Sequence, residues 1–249
     1  MSRLKTLVII PTYNELETLK EQVLGVRKYA PEVDILIADD NSPDGTGELA
    51  DQLAEQNNQI YVLHRAGKQG LGDAYVAGFK WGLSRGYELL CEMDADGSHR
   101  PKDFPRLLRR ANRPDQPGLV IGSRWVPGGS VVNWPWHRKV LSKGGNDYVA
   151  LMLGIKVKDA TAGFRVYRAE TLEAIHLDEV ESHGYCFQVD MTWRTLLAGC
   201  SIVEVPIQFV ERTAGTSKMS QKIVNEALIK TTKWGATRAL AALRPGGPA

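Results

Sequence analysis

The chain has 249 residues, 43% of them hydrophobic and 24% charged, with a net charge of +2 and three cysteines. That length and apolar share suit one large α/β unit, and the near-balanced charge gives no basis for a nucleic-acid partner. No run approaches the roughly 18 apolar residues of a spanning helix, residues 7–10 are too short for a signal-peptide core, and Cys91, Cys186 and Cys200 lack metal-ligand spacing and read as reduced core thiols of a cytoplasmic protein.

In chain order, residues 7–10 are an apolar run expected to form a buried strand, and 15–29 carry Leu16, Leu19, Val23 and Val26 at helical spacing. A second strand is expected at 33–38, ending in the turn cluster Asp39-Asp40-Asn41-Ser42-Pro43-Asp44-Gly45. A polar helix at 46–56, a strand at 60–63, a helix at 71–84 and a strand at 89–93 continue the alternation. Such near-continuous apolar strands between helices imply a largely parallel sheet covered on both faces. The second half is less regular, with strands at 119–121, 164–167 and 202–205, and helices at 139–153, around 187–197 and at 219–243. A segment rich in Gly, Pro and Trp at 125–136 reads as a functional loop. No repeat or composition break divides the chain, so 1–249 reads as a single domain with an amphipathic C-terminal helix and a short Pro/Gly tail.

Ligands of such sheets bind at the carboxyl ends of the strands. Three polar clusters fall there: Pro11-Thr12-Tyr13-Asn14-Glu15, Asp39-Asp40 and Asp94-Ala95-Asp96. A single Asp-x-Asp is weak, because Asp is common in turns. Three clusters at equivalent strand ends are stronger, and the oxygens of Asp94 and Asp96 suit Mg²⁺ or Mn²⁺ together with phosphate. Thr12-x-x-Glu15 also matches a capping box for the following helix, while Tyr13 offers a flat ring to a base or ribose. Gly67-Lys68-Gln69-Gly70-Leu71-Gly72 lacks both the third glycine of a dinucleotide fingerprint and the Lys-Ser/Thr ending of a P-loop. It reads as a glycine-rich turn. Arg124, Arg138, Lys139 and Lys143, with Arg212 and Lys218 around a small-residue segment, supply cations for a phosphate-rich ligand.

Read together, Pro-Thr-Tyr-Asn-Glu, Asp-Asp-x-Ser-Pro-Asp-Gly-Thr, Gly-Leu-Gly-x-Ala-Tyr, Met-Asp-Ala-Asp-x-Ser-His, Gly122-Ser123-Arg124, Arg138-Lys139-x-x-Ser142, Thr161-Ala162-Gly163-Phe164-Arg165, Gly184-Tyr185-x-Phe187-Gln188 and Arg212-x5-Lys218 resemble one family. It is the dolichol-phosphate or polyprenol-phosphate mannose synthases, inverting glycosyltransferases of the GT-A fold, and the details resemble its actinobacterial members. The resemblance spans residues 5–230. It implies that Pro11, Tyr13, Glu15, Ala38 and Asp40 hold the guanosine of GDP-mannose. It implies that Asp94, Ala95 and Asp96 line a metal–diphosphate site, with Asp96 the stronger ligand and Ser98 standing where some relatives have a ligating Gln. Arg124, Arg138 and Ser142 match positions that bind the acceptor phosphate of a polyprenyl monophosphate, and Arg212 and Lys218 match a loop that closes on the diphosphate.

An acceptor that is already anionic needs no general base, so His64, His99, His137, His176 and His183 are expected to be structural or surface residues. The resemblance further implies work at the cytoplasmic face of a membrane, alone or through a membrane-embedded partner. Lys222, Lys230, Lys233 and Arg238 on the last helix, aided by Trp125, Trp134 and Trp136, are the candidates to meet anionic lipid. A UDP-sugar polyprenyl-phosphate transferase and a non-catalytic sugar-nucleotide scaffold are the alternatives; a nicotinamide oxidoreductase is disfavoured by the missing glycine fingerprint.

Overall fold

The alternating pattern of the first half becomes β1 (Thr6–Thr12), α1 (Leu19–Tyr29), β2 (Asp34–Asp39), α2 (Thr46–Gln56), β3 (Ile60–His64), α3 (Leu71–Leu83) and β4 (Leu89–Glu92). After a 3₁₀ turn at Pro101–Asp103 follow α4 (Phe104–Ala111), β5 (Leu119–Ser123), β6 (Ser130–Val132), α5 (Trp136–Leu153), β7 (Arg165–Arg168) and α6 (Ala169–Ala174). The chain continues with α7 (Gly184–Leu197), β8 (Ile202–Pro206), β9 (Gln208–Val210) and α8 (Gln221–Ala242). This computed structural model describes residues 4–180, 182, 184–211 and 221–242.

The main sheet has the strand order β3-β2-β1-β4-β7-β5-β8. All of its pairings are parallel except those of β7, which runs against β4 on one side and β5 on the other. Successive strand residues face opposite ways, and here both faces are apolar. Val8, Ile10, Ile35, Ile37 and Cys91 enter one core layer with α1, α2 and α4 residues. Leu7, Ile9, Leu36, Ala38 and Leu90 enter the other, with residues of α3, α5 and α7. The small residues of α3 let it lie close on that second face: a Cβ on Gly78 would stand 2.6 Å from Ile9 Cγ2, and one on Gly82 would stand 2.5 Å from Leu90 Cδ2. β6 and β9 form a separate parallel ribbon, with Val131 opposite Phe209.

Several expectations are corrected. The first helix begins at Leu19, not at residue 15, and the proposed capping box is not made. β1 continues through Thr12, which pairs in register with Asp39, and the Thr12 hydroxyl donates to Asp39 Oδ1 at 2.9 Å. Leu16 accordingly sits before the helix and is 43% exposed. The helix expected at 139–153 starts earlier, at Trp136, and the Trp-rich loop contains the strand β6. Cys200 is half-buried, whereas Cys91 and Cys186 are core residues. Among the described residues no helix is long and apolar enough to cross a membrane. α8 packs on α5 and α7, and its Gly235 comes so close to α5 that a Cβ there would stand 2.7 Å from the Met152 carbonyl oxygen.

Candidate active site

The register that puts Pro11 opposite Ala38 and Ile9 opposite Glu92 also makes β1, β2 and β4 release their chains at one edge of the sheet. Asp39 and Asp40 divide the work there. Asp39 accepts hydrogen bonds from the Thr12 hydroxyl at 2.9 Å, the Ser42 N–H at 3.0 Å and the Ser42 hydroxyl at 2.6 Å, so it braces the turn. Asp40 is buried and ion-paired with Arg65. Burial raises its carboxyl above the usual range, and the Arg65 guanidinium pulls it part of the way back. Tyr13 is half-buried, and the Lys68 ammonium lies 4.3 Å from the centre of its ring, so the glycine-rich turn reaches this corner. The Glu15 N–H donates to Thr46 Oγ1 at 3.1 Å, holding the segment after β1 against α2. Pro11 and Ala38 are buried, and the Ala38 methyl is sealed in the core, leaving only its backbone for a ligand.

Asp94, Ala95 and Asp96 follow directly from β4. Asp94 is 27% exposed. Its N–H donates to His99 Nδ1 at 3.0 Å, and its Oδ1 accepts the Tyr75 hydroxyl at 3.0 Å. Because His99 Nδ1 accepts that amide proton, the imidazole carries its own proton on Nε2 and acts as a brace, not as a base. Asp96 is 7% exposed, and its Oδ1 accepts the Ser98 N–H at 3.0 Å across Gly97, whose φ of +75° favours glycine. The Ser98 hydroxyl is buried and has no hydrogen-bond partner among the described residues. No group of three His, Cys, Asp or Glu side chains among the described residues is arranged to hold a metal. Two carboxylates on one turn, with an orphaned hydroxyl beside them, fit a hard cation that takes its other ligands from phosphate and water.

Beneath this turn lies a buried polar layer. Glu92 accepts the Gln188 side-chain amide at 2.6 Å, with Arg165 and Tyr167 alongside. Burial pushes the Glu92 carboxyl up to about 8, against the pull of Arg165 and Gln188. Gly163 roofs this layer: a Cβ there would stand 3.5 Å from His99 Cε1, 3.7 Å from Gln188 Nε2 and 3.8 Å from Asp94 Oδ2.

The second side of the edge is cationic. Arg124, just past β5, is buried. Its Nε and Nη2 grip the Asp159 carboxylate at 2.8 and 2.6 Å, its backbone N–H donates to the same carboxylate at 2.8 Å, and Nη2 reaches Thr161 Oγ1 at 2.9 Å. Arg138, in the first turn of α5, is ion-paired with Glu211. Both guanidinium groups crowd the buried Trp134 indole, with their central carbons 4.2 Å (Arg138) and 5.6 Å (Arg124) from its ring centre. Ser142 and Asn146 follow Arg138 at four-residue steps along one face of α5. The Asn146 side chain donates to the Ser142 carbonyl at 2.9 Å and to Thr161 Oγ1 at 3.0 Å. The structure thus brings Arg124, Arg138 and Ser142 together. Arg212 and Lys218 lie outside the described residues, as does His183.

Sequence reasoning did not assign the partners of these groups: Arg65, Tyr75, Asp159 and Glu211. Tyr75 lies inside the quoted Gly-Leu-Gly-x-Ala-Tyr motif, so its signal was present. Asp159 precedes the Thr-Ala-Gly-Phe-Arg motif by two residues, and nothing local marks it as the counter-ion of Arg124.

A carboxylate-lined strand edge beside two paired arginines, on a mostly parallel sheet interrupted by one antiparallel strand, belongs to the GT-A glycosyltransferase fold. The sequence profile described as glycosyl transferase family 2 matches residues 7–175. An undecaprenyl-phosphate mannosyltransferase of Micrococcus luteus is 56% identical, over 93% of this chain and 94% of that protein. A polyprenol monophosphomannose synthase of Mycolicibacterium smegmatis is 55% identical, over 93% of this chain and 87% of that protein. The chain therefore belongs to glycosyl transferase family 2, in the branch that these two actinobacterial enzymes represent. Among solved structures, a Pyrobaculum calidifontis mannosyltransferase in complex with GDP-Man and Mn²⁺ superposes with a TM-score of 0.59 at 15% identity, covering 98% of this chain and 77% of that one. A Mycobacterium tuberculosis glucosyl-3-phosphoglycerate synthase in complex with Mn²⁺, UDP and phosphoglyceric acid gives 0.66 at 15% identity, covering 99% and 80%. At that identity the two share the fold.

Proposed function

We propose that this glycosyltransferase moves mannose from GDP-mannose to a polyprenyl monophosphate, with inversion at the anomeric carbon. The observation that carries the reading is the two-sided edge, with Asp94 and Asp96 on one side and Arg124, Arg138 and Ser142 on the other. The names of the two close relatives support mannose as the sugar and a polyprenyl phosphate as the acceptor.

In this reading Pro11, Tyr13, Glu15, the Ala38 backbone and Asp40 hold the guanosine. Asp94 and Asp96, with Ser98 as a further oxygen, would hold Mg²⁺ or Mn²⁺ while Ala95 lines the metal–diphosphate site, and the metal would offset the charge growing on the leaving diphosphate. Tyr75 holds the Asp94 carboxylate, and His99 holds the Asp94 backbone N–H. Arg124 and Arg138 orient the acceptor phosphate, whose oxygen forms the new bond to the anomeric carbon as the bond to GDP breaks. The phosphate is ionised near neutral pH, so no side chain has to remove a proton, in keeping with the bracing role of His99. One displacement converts an α-linked donor into a β-linked phospholipid product. Arg212 and Lys218 are proposed to add positive charge over the diphosphate.

Incubation with GDP-[¹⁴C]mannose, a polyprenyl phosphate and Mg²⁺ or Mn²⁺, followed by organic extraction, is expected to yield labelled lipid. NMR of the product is expected to show the β anomer, and an α product overturns the single displacement. A donor panel including UDP-glucose and UDP-GlcNAc tests the alternative reading, which the fold-level likeness to a glucosyl transferase keeps in play. We further propose that the protein works at the cytoplasmic face of a membrane. Trp134 is buried under the arginines and does not reach a lipid surface, while Trp136 is 76% exposed on α5 beside exposed Val140 and Leu141. Salt-sensitive binding to anionic vesicles is expected, and equal binding to neutral vesicles rejects the electrostatic part.

A further inference from the structure

The acceptor side holds two arginines, and each already has a carboxylate. The two pairs are built differently. Asp159 is fully buried and grips Arg124 through three hydrogen bonds, from Nε, Nη2 and the backbone N–H, with Thr161 closing the set. That pair is a fixture of the core. Glu211 and Arg138 are partly open to solvent, with side-chain exposures of 27% and 20%. Both Glu211 oxygens lie on one guanidinium nitrogen of Arg138, so the pair does not form the two-armed fork that Arg124 makes with Asp159. Glu211 is placed there by the backbone: its N–H donates to the Val132 carbonyl at 3.1 Å, one step beyond the β6–β9 ladder. Trp134, edge-on to Phe209 at 5.4 Å, fixes the other face of the guanidinium.

We infer that Glu211 is a positioning residue of the acceptor site: its carboxylate occupies the place on Arg138 that the acceptor phosphate takes, and productive acceptors must displace it. The inference rests on the proposed role of Arg138 as a phosphate ligand. A carboxylate and a phosphate offer a guanidinium the same kind of planar oxygen pair, and the phosphate carries more charge. Arg138 is thereby held against Trp134, ready for an anion, before any acceptor arrives. A phosphate that takes Arg138 must displace Glu211, and that displacement lowers the apparent affinity for the acceptor.

The test is a pair of substitutions and their combination, assayed with farnesyl phosphate as a short acceptor. Glu211→Gln is expected to lower the acceptor KM about two- to fivefold, the range of a partly exposed ion pair, while the KM for GDP-mannose stays the same. Arg138→Ala is expected to raise the acceptor KM, and in that background Glu211→Gln is expected to change it no further. If Glu211→Gln leaves the acceptor KM unchanged or raises it while Arg138→Ala raises it, Glu211 is a structural support and the inference fails with the site reading intact. If Glu211→Gln still lowers the KM without Arg138, it acts elsewhere and the inference fails. If Arg138→Ala does not move the acceptor KM, the acceptor assignment itself fails and the inference falls with it.

Discussion

The two sides of the sheet edge handle charge in opposite ways. On the donor side, Asp94 and Asp96 follow directly from β4, and their contacts include the Tyr75 hydroxyl on Asp94 and the Ser98 N–H on Asp96. On the acceptor side the arginines are held by full counter-ions, Asp159 and Glu211. A pair of arginines beside an aromatic wall cannot be left bare in a partly buried site, because an uncompensated buried charge is costly. Removing an acid should therefore stop chemistry on the first side and weaken the fold on the second.

The largest expected effect is Asp96→Ala, which should lower lipid-linked mannose formation about 10³-fold or more while costing only about 1 kcal/mol of stability for the lost Ser98 contact. Product synthesis near the wild-type rate would remove Asp96 from the metal site. Asp159→Ala should do the reverse first: the buried Arg124 guanidinium loses its partner, and urea unfolding should show a loss of about 3–5 kcal/mol. A loss no greater than that of Asp96→Ala would break the contrast between the two sides. Tyr75→Phe sharpens it on the donor side. Without the hydroxyl on Asp94, the Mn²⁺ concentration at half-maximal binding, followed by calorimetry with GDP present, should rise about 10- to 100-fold. An unchanged value would make Tyr75 a packing residue.

The smallest effect concerns the polar layer under the Asp94–Asp96 turn. Burial sets the Glu92 carboxyl at about 8 in the fold, against 4.5 as its ordinary value. Between those values the folded protein holds a proton that the unfolded chain has released, so stability falls as pH rises from about 4.5 to about 8. In metal-free protein that decline should be visible by chemical denaturation and shallower in Glu92→Gln. Equal slopes would mean that Arg165 keeps Glu92 ionised throughout.

The donor half was the legible half. Its strands are buried on both faces, so an apolar run bounded by polar residues marks each one, and the strand ends then place Asp40, Asp94 and Asp96 at one edge. Even there the local rule misled once: Thr12 and Glu15 have capping-box spacing, but Thr12 is drawn into β1 by its register with Asp39. The acceptor half was legible only as motifs. β6 and β9 are three-residue strands that exist through each other, far apart in sequence. Arg138 and Glu211 stand 73 positions apart, and Arg124 and Asp159 stand 35 apart. No window of sequence contains both members of either pair, and a guanidinium's role cannot be separated from its counter-ion.

The antiparallel strand β7 has one more consequence. Because it runs against its neighbours, the chain enters it from the working edge, and residues 159–163 cross that edge first. Asp159 and Thr161 grip Arg124 at one end of this stretch, and Gly163 lies against His99, Gln188 and Asp94 at the other. In the proposed reading these five residues form a ruler between the donor and acceptor sides, and lengthening it by one residue is expected to change the gap that the sugar crosses. An enzyme carrying such an insertion would be one that still holds both substrates and no longer joins them.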